Sequence, residues 1–300
     1  MKRFILSLAL IMPLIGFAQS HHEAGLSFGV ANYYGDLQNK WFPKYGFKPM
    51  GGVMYKYFFN TRLGIRFGMS YASVTAADSL SDVHVKQQRN LRFASNIFEV
   101  QGGFELNLVQ IEKDRSKITP YLFAGLAVFH MNPYTDGMRG EKVYLRPLGT
   151  EGQGIPVYPD RKEYKLTNMA FPLGGGLKFL VGKTFFITAE AGFRYTNTDY
   201  LDDVSKSYVN LETLKAYKGQ QAVDLAYRTD ELNVWTQDKT NTSVQPPAHN
   251  TQYPNYNYQR GDSKANDWYY FTNITVTVYL DAFGNVKRYW QANCPAFRRN

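Results

Sequence analysis

The 300-residue sequence contains a single cysteine, Cys294, so no internal disulfide can hold its fold together. It also lacks a second long apolar run: no stretch of about 18 uninterrupted apolar residues follows the N-terminus, which excludes a membrane-spanning helix there. No segment rich in proline and serine divides the chain. One domain is therefore the simplest organisation.

Metal-binding motifs are also missing. The five histidines are accompanied by no cluster of His and Cys with metal-ligand spacing. The triplet Gly174-Gly175-Gly176 has no helix after it that could hold a phosphate, and glycine on a barrel strand indicates a bend or close packing. We therefore expect a non-enzymatic protein with no catalytic residues, metal site, cofactor or small-molecule substrate.

The N-terminus has the three parts of a secretory signal peptide. Lys2 and Arg3 precede an apolar core over residues 4–17, and Ala18 to Ser20 form a small-residue cleavage zone. We predict a signal peptide over residues 1–19. The formal net charge of +9 then falls to about +7, because Lys2 and Arg3 are removed. For an exported protein, anionic lipid headgroups or an acidic protein surface are better partners than nucleic acid.

Alternation of apolar and polar residues with period two is the dominant pattern of the rest of the chain. In residues 268–280, Ile274 and Val276 fall on one face and Asn273 and Thr275 on the other, which predicts a β-strand. Seven earlier segments repeat this design. The eight predicted strands are 24–34, 47–59, 63–71, 93–108, 118–131, 169–181, 185–195 and 268–280.

Short and long connections alternate between these segments. Such a meander predicts an all-β fold, an eight-stranded antiparallel up-and-down transmembrane β-barrel over residues 20–280, with short periplasmic turns and long extracellular loops. The high aromatic content of 16% fits two interfacial belts. A soluble sandwich or lipocalin-like barrel also alternates with period two, but its polar face would be rich in solvated Lys and Glu.

The polar face instead mixes glycine with charges of both signs, which suits a narrow lumen in which small residues leave room and opposite charges neutralise one another. With eight strands the interior is just wide enough for side chains, so no open pore is expected. The predicted lumen charge cluster consists of Arg62, Arg66, Glu99, Glu105, Lys178, Glu190 and Arg194.

A tail of twenty residues, 281–300, follows the last predicted strand. Large aromatic residues beside basic ones commonly mark a protein interface, and an exported lone cysteine can pair with another chain. A small cysteine buried against the barrel rim is an equally good interpretation. The predicted partner contacts of this periplasmic tail are Phe283, Tyr289, Trp290, Cys294 and Phe297.

Four stretches carry a family resemblance: GLSFGVANYYGDL at 25–37, VMYKYFFNTRLGIRFGMSY at 53–71, PYLFAGLAVFHMNP at 120–133, and the closing VYLDAFGN with its Cys-Pro tail. They resemble the PorG family, small outer-membrane barrels of the type IX secretion and gliding motility machinery of Bacteroidetes. The resemblance covers most of the chain after the signal peptide, but residues 199–266 match nothing in the family.

The resemblance implies a protein of the outer membrane of a Gram-negative bacterium, embedded among outer-membrane lipids. Its implied role is to dock a periplasmic ring, made of a lipoprotein and a partner subunit, in type IX protein transport. The alternative is a stand-alone surface barrel similar to OmpA or OmpX, which would serve adhesion or envelope stability through its long loops.

Overall fold

The computed structural model describes residues 20–109, 117–182, 184–232 and 258–280. The predicted signal peptide and the predicted tail lie outside these residues. The described strands are β1 (His21–Tyr34), β2 (Lys48–Phe58), β3 (Leu63–Ala77), β4 (Arg92–Asn107), β5 (Ile118–Asp136), β6 (Lys142–Tyr144), β7 (Thr167–Val181), β8 (Phe185–Thr196) and β9 (Trp268–Tyr279).

Eight of these strands close into a barrel. Every neighbouring pair is antiparallel, in the order β4-β3-β2-β1-β9-β8-β7-β5, and pairing of β4 with β5 closes the ring. The ninth strand, β6, is short and pairs only with the outer end of β5, between Tyr134 and Asp136. The predicted fold class and its eight barrel strands are confirmed. None of the helices in the described part of the chain has the length and apolar composition of a membrane span.

The connections divide between the two rims of the barrel as the sequence predicts. The short-turn rim carries the links 59–62, 108–117 and 182–184, whereas the long-loop rim carries the links 35–47, 78–91, 137–166 and 197–267. Strand β5 is longer than predicted, because its alternation continues through Asn132 and Pro133 to Asp136. The polar and proline residues of this extension gave it the composition of a loop.

The glycine triplet on β7 is explained by close packing of two backbones. A side-chain carbon at Gly174 would lie 2.2 Å from the carbonyl oxygen of Ala191, and one at Gly176 would lie 2.2 Å from that of Ala189. Both distances are far below van der Waals contact. Only glycine lets β7 approach β8 this closely on the lumen side.

The long-loop rim carries a folded cap, which we define as residues 145–166, 197–232 and 258–267. It contains helices α2 (Leu211–Lys218) and α3 (Gln220–Ala226), while helix α1 (His84–Arg89) belongs to the link after β3. Asn210 caps α2, since its side chain accepts a bond from the amide of Thr213 at 3.0 Å. The cap has a small apolar core of its own, formed by Ile155, Val209, Leu214, Ala222 and Ala226.

The largest apolar core fills the half of the lumen nearest the long-loop rim. Lumen-facing rings such as Tyr33, Phe129 and Phe271 form one cluster with Leu201 and Val204 of the cap. The cap therefore closes the mouth of the barrel by inserting apolar side chains into it. Burial of these side chains drives this closure.

Candidate functional site

The outer wall of the barrel is apolar and exposed. Leu26 and Phe28 on β1 are 51% and 62% exposed, while Ser27 between them is buried in the lumen. The same arrangement recurs on every barrel strand. We call this surface the apolar belt; its members include Leu26, Phe28, Val53, Phe67, Met69, Val100, Phe104, Leu122, Leu126, Leu173, Ile187 and Ile274. A continuous apolar exterior is the pattern of barrels that face lipid.

The lumen holds four carboxylates and four cations, so the formal charges cancel. All eight side chains are buried, and each ion-pairs with at least one other. We call this set the lumen charge network: Glu23, Glu99, Glu105, Glu190, Lys56, Arg66, Lys178 and Arg194.

The layer nearest the short-turn rim joins four strands. The Lys178 ammonium lies 2.9 Å from the Glu105 carboxylate and 3.3 Å from that of Glu23. Lys56 reaches the other oxygen of Glu105 at 2.7 Å. Two lysines thus share Glu105, which places opposite charges on β1, β2, β4 and β7 in mutual contact.

A second layer lies deeper in the lumen. Arg66 donates to both carboxylate oxygens of Glu190, at 2.8 and 3.0 Å, and this bidentate pair spans the lumen from β3 to β8. The Tyr121 hydroxyl donates to Glu190 at 2.6 Å. The guanidinium also lies 3.9 Å from the ring centroid of Phe123. Contacts on several sides fix Arg66 across the interior.

The third layer pairs Arg194 with Glu99. The Arg194 Nε lies 3.2 Å from the Glu99 carboxylate, which also accepts a 2.6 Å bond from the Tyr269 hydroxyl. The guanidinium stacks 4.0 Å from the ring centroid of Phe271, at the boundary with the apolar core. Together the three layers connect buried side chains from opposite walls of the lumen.

Of the seven residues predicted to form the lumen cluster, six lie in the network. Arg62 does not, which corrects the prediction: it is exposed in the turn 59–62, before β3 begins. The Asn60 side chain accepts bonds from the amides of Arg62 and Leu63, both at 2.8 Å, and so holds Arg62 in the turn.

Two members of the network, Glu23 and Lys56, were missing from the predicted cluster. Both are in phase with the polar faces of their strands, Glu23 with Gly25 and Ser27. Continuing the alternation two residues toward the N-terminus would have found Glu23.

The cap and the neighbouring loop 35–47 form an acidic cluster, which we define as Asp36, Asp199, Asp202, Asp203 and Asp267. The Tyr33 hydroxyl lies 2.6 Å from an oxygen of Asp202 and 2.8 Å from an oxygen of Asp267. The Tyr33 hydroxyl is therefore within donating distance of a carboxylate oxygen of each residue. Tyr33 thereby connects β1 to the cap through hydrogen bonds.

Burial governs the protonation of this cluster. It raises the pKa of Asp199 to about 8, with help from the neighbouring Asp202 and Asp36 carboxylates. It also raises the pKa of Asp203 to about 6 against the opposing charge of Arg260. No group of three His, Cys, Asp or Glu side chains among the described residues is arranged to hold a metal ion.

Polar bonds also tie the segments of the cap together. Glu151 accepts bonds from the amides of Ser205 and Lys206, both at 3.0 Å, and pairs with Arg260 at 3.2 Å. These contacts join three separate segments of the chain. The predicted contact residues Phe283, Tyr289, Trp290, Cys294 and Phe297 lie outside the described residues.

Residues 2–144, just under half of the chain, match the family model of DUF6089, a domain of unknown function. No curated protein matches the chain. Among solved structures, Neisserial surface protein A (NspA) is similar at 9% identity and a TM-score of 0.41, over 87% of this chain and 98% of that one.

Two further solved structures are similar at the same low level. Ail of Yersinia pestis has 12% identity and a TM-score of 0.35, over 86% of this chain and 98% of its own. The outer membrane protein OprG of Pseudomonas aeruginosa has 7% identity and a TM-score of 0.33, over 87% and 93%. Likenesses this weak say nothing about what the present chain does.

Proposed function

We propose that this protein is an outer-membrane barrel without an open channel that serves as a membrane anchor for a periplasmic assembly of type IX secretion. The observation that carries the proposal is the combination of an apolar outer belt with a filled lumen. The belt suits residence in lipid. The charge network and the cap leave the barrel no transport path, so a docking role is a better fit than a pore.

The topology supports the direction of docking. Short turns of such barrels face the periplasm. Strand β9 ends at the short-turn rim, where Tyr279 pairs with Glu23, so residues 281–300 continue from that rim. The aromatic and basic residues of this tail would then face a periplasmic partner, in keeping with the resemblance to the PorG family.

The test is co-purification after crosslinking of outer membranes that are then solubilised in detergent. We expect loss of the periplasmic partner when residues 281–300 are deleted, and retention when residues 233–257 are removed from the long-loop side. That control leaves the described segments of the cap in place. Heat-modifiable gel mobility of each variant shows that the barrel is folded. Equal recovery of a periplasmic partner with and without the tail would contradict the proposal.

Cys294 requires its own variant. If the tail forms a disulfide with its partner, Cys294→Ser removes a high-mass band from non-reducing gels of membranes, and reduction of the wild type does the same. An unchanged band pattern excludes the covalent contact only, because the aromatic residues remain.

A stand-alone surface barrel is the second candidate, and the folded cap favours it. A loop region with its own helices and apolar core presents a defined surface on the long-loop side. In that case changes to the exposed face of the cap, and not deletion of the tail, would reduce adhesion or envelope stability.

A further inference from the structure

In the first long loop, residues 35–47, the part from Trp41 onward folds against the outside of the barrel. Its Trp41 stacks on Tyr34, with ring centroids 4.1 Å apart and planes at 9°. The same indole makes edge contacts with Phe193 and Trp268 at 5.4 and 5.5 Å. These three partners point outward at the long-loop ends of β1, β8 and β9. The loop therefore lies along the outer wall, beside the mouth that the cap closes.

Tyr270 shows how firmly the loop is held there. It points outward from β9, yet only 2% of its surface is exposed, because the loop covers it. Its hydroxyl donates to the carbonyl of Trp41, and the rings of Phe42 and Phe47 lie 6.2 and 6.4 Å from its ring. The backbone of the loop is thus bonded to the barrel wall, which gives its exposed side chains a defined position.

The free side of this loop alternates aromatic and cationic side chains. Phe42 and Tyr45 are 75% and 64% exposed, and Phe47 is exposed beside them. Lys40 and Lys44 of the loop, and Lys48 at the start of β2, are also exposed. We call these six residues the loop patch. One acid, Asp82 of the next loop, pairs with Lys40. The patch therefore keeps an excess of positive charge next to large exposed rings.

The patch is continuous with the apolar belt. Phe193, which contacts Trp41, lies on the outward face of β8, in line with Ile187 of the belt. Aromatic side chains at the edge of a barrel's apolar band lie at the level of lipid headgroups. Lysines at that level attract anionic headgroups. The position of the patch and its positive charge together favour a lipid as its ligand rather than a protein.

We propose that the loop patch binds the phosphate groups of lipids in the leaflet that surrounds the long-loop rim, with the rings of Phe42 and Tyr45 inserted between headgroups. The inference rests on the membrane location in the proposed function. It adds a lipid class, a phosphorylated headgroup, and the residues that recognise it.

The test uses the full mature chain, folded into phosphatidylcholine vesicles that contain either lipid A or lipid A stripped of its phosphates. Lipid retained by the protein after extraction into mild detergent is measured. We expect the wild type to retain phosphorylated lipid A in preference to the dephosphorylated form. The triple variant Lys40→Gln, Lys44→Gln, Lys48→Gln should lose this preference.

A matched control removes the same charge elsewhere. Lys162, Lys165 and Lys215 are exposed on the cap, and their replacement by Gln should leave the preference intact. Equal retention by the wild type and the loop triple variant, or equal loss in both triple variants, would overturn the inference while leaving the membrane barrel standing. Failure of the wild type to insert, seen as absent heat-modifiable mobility, would overturn both proposals.

Discussion

Two arginines that are four residues apart lie in very different environments. Arg66 is buried between two carboxylates and a phenyl ring, whereas Arg62 is exposed in a turn. In the sequence, both arginines fall on the same face of the period-two alternation. Replacing a solvent-exposed cation changes stability little. Replacing a buried cation leaves its carboxylate partners buried without an opposite charge.

Replacing Arg66 with Met should therefore destabilise the barrel strongly. The change leaves Glu190 without its bidentate partner, and loss of one member of a buried pair costs about 3–5 kcal/mol. Arg62→Met is the matched control and should change the free energy of unfolding by less than about 0.5 kcal/mol. Denaturant titration of barrels folded into vesicles measures both. Similar losses for the two variants would show that the network contributes little.

The acidic cluster predicts a pH dependence of the cap. An acid whose pKa is raised in the folded state stabilises that state fully below its unfolded pKa, about 3.9. The contribution is lost as the pH rises through the folded value, about 8 for Asp199. Burial raises the pKa of Asp202 and Asp267 as well, so they act in the same direction.

We expect amide exchange in the cap to be slower near pH 5 than near pH 8 after correction for the intrinsic exchange rate. Asp199→Asn should weaken this dependence, because the variant has no carboxyl to deprotonate. Asp160→Asn, at an exposed position in the cap, is the control and should leave it unchanged. Corrected exchange that is independent of pH in the wild type would contradict the assigned role of the cluster.

At the scale of one element, strand β9 has one face toward the outside of the barrel and the other toward the lumen. Ile274 points to the outside and is 57% exposed, while Asn273 and Thr275 on either side are buried in the lumen. Exposed aliphatic side chains on the outer face are favourable only if the surroundings of the barrel are apolar. In water, the row of exposed aliphatic side chains would favour aggregation.

Ile274→Arg tests the medium directly. An arginine on the lipid face costs about 2–4 kcal/mol near the bilayer midplane and about 0–1 kcal/mol near its edges. We expect a loss in the higher range for Ile274→Arg. The control is Asn132→Arg, placed on the outward face of the polar extension of β5. The free energy of unfolding of each variant is measured in vesicles. Equal losses of this free energy at the two positions would count against a bilayer around the belt.

At the scale of the whole molecule, the lumen is blocked twice. The charge network fills the part nearer the short turns, and the apolar core beneath the cap fills the rest. An ion would have to displace paired charges and then cross an apolar layer. Both steps oppose conduction.

The purified protein should therefore give no discrete current steps in a planar bilayer. A porin reconstituted in the same way provides the positive control. Stable steps from the wild type, with insertion verified by heat-modifiable mobility, would show that the cap opens a path through the lumen.

Much of the barrel is determined by local pattern. Period-two alternation predicts which side chains of β1, β3, β8 and β9 face outward, because successive residues of a strand point to opposite sides. The alternation of short and long links predicts the two rims. The sequence did not predict the extension of β5, because its outward residues are polar. They lie beyond the apolar belt, where outward side chains need not be apolar.

The sequence by itself determined the eight barrel strands, apart from some of their ends, and their inward and outward faces, since these follow from the geometry of each strand alone. Tertiary structure decided which charges pair across the lumen, as Arg66 and Glu190 do from β3 and β8. It also decided the cap, where Tyr33, Asp202 and Asp267 meet from segments far apart in the chain. Such contacts depend on barrel closure and loop packing, which bring together residues that no local period relates.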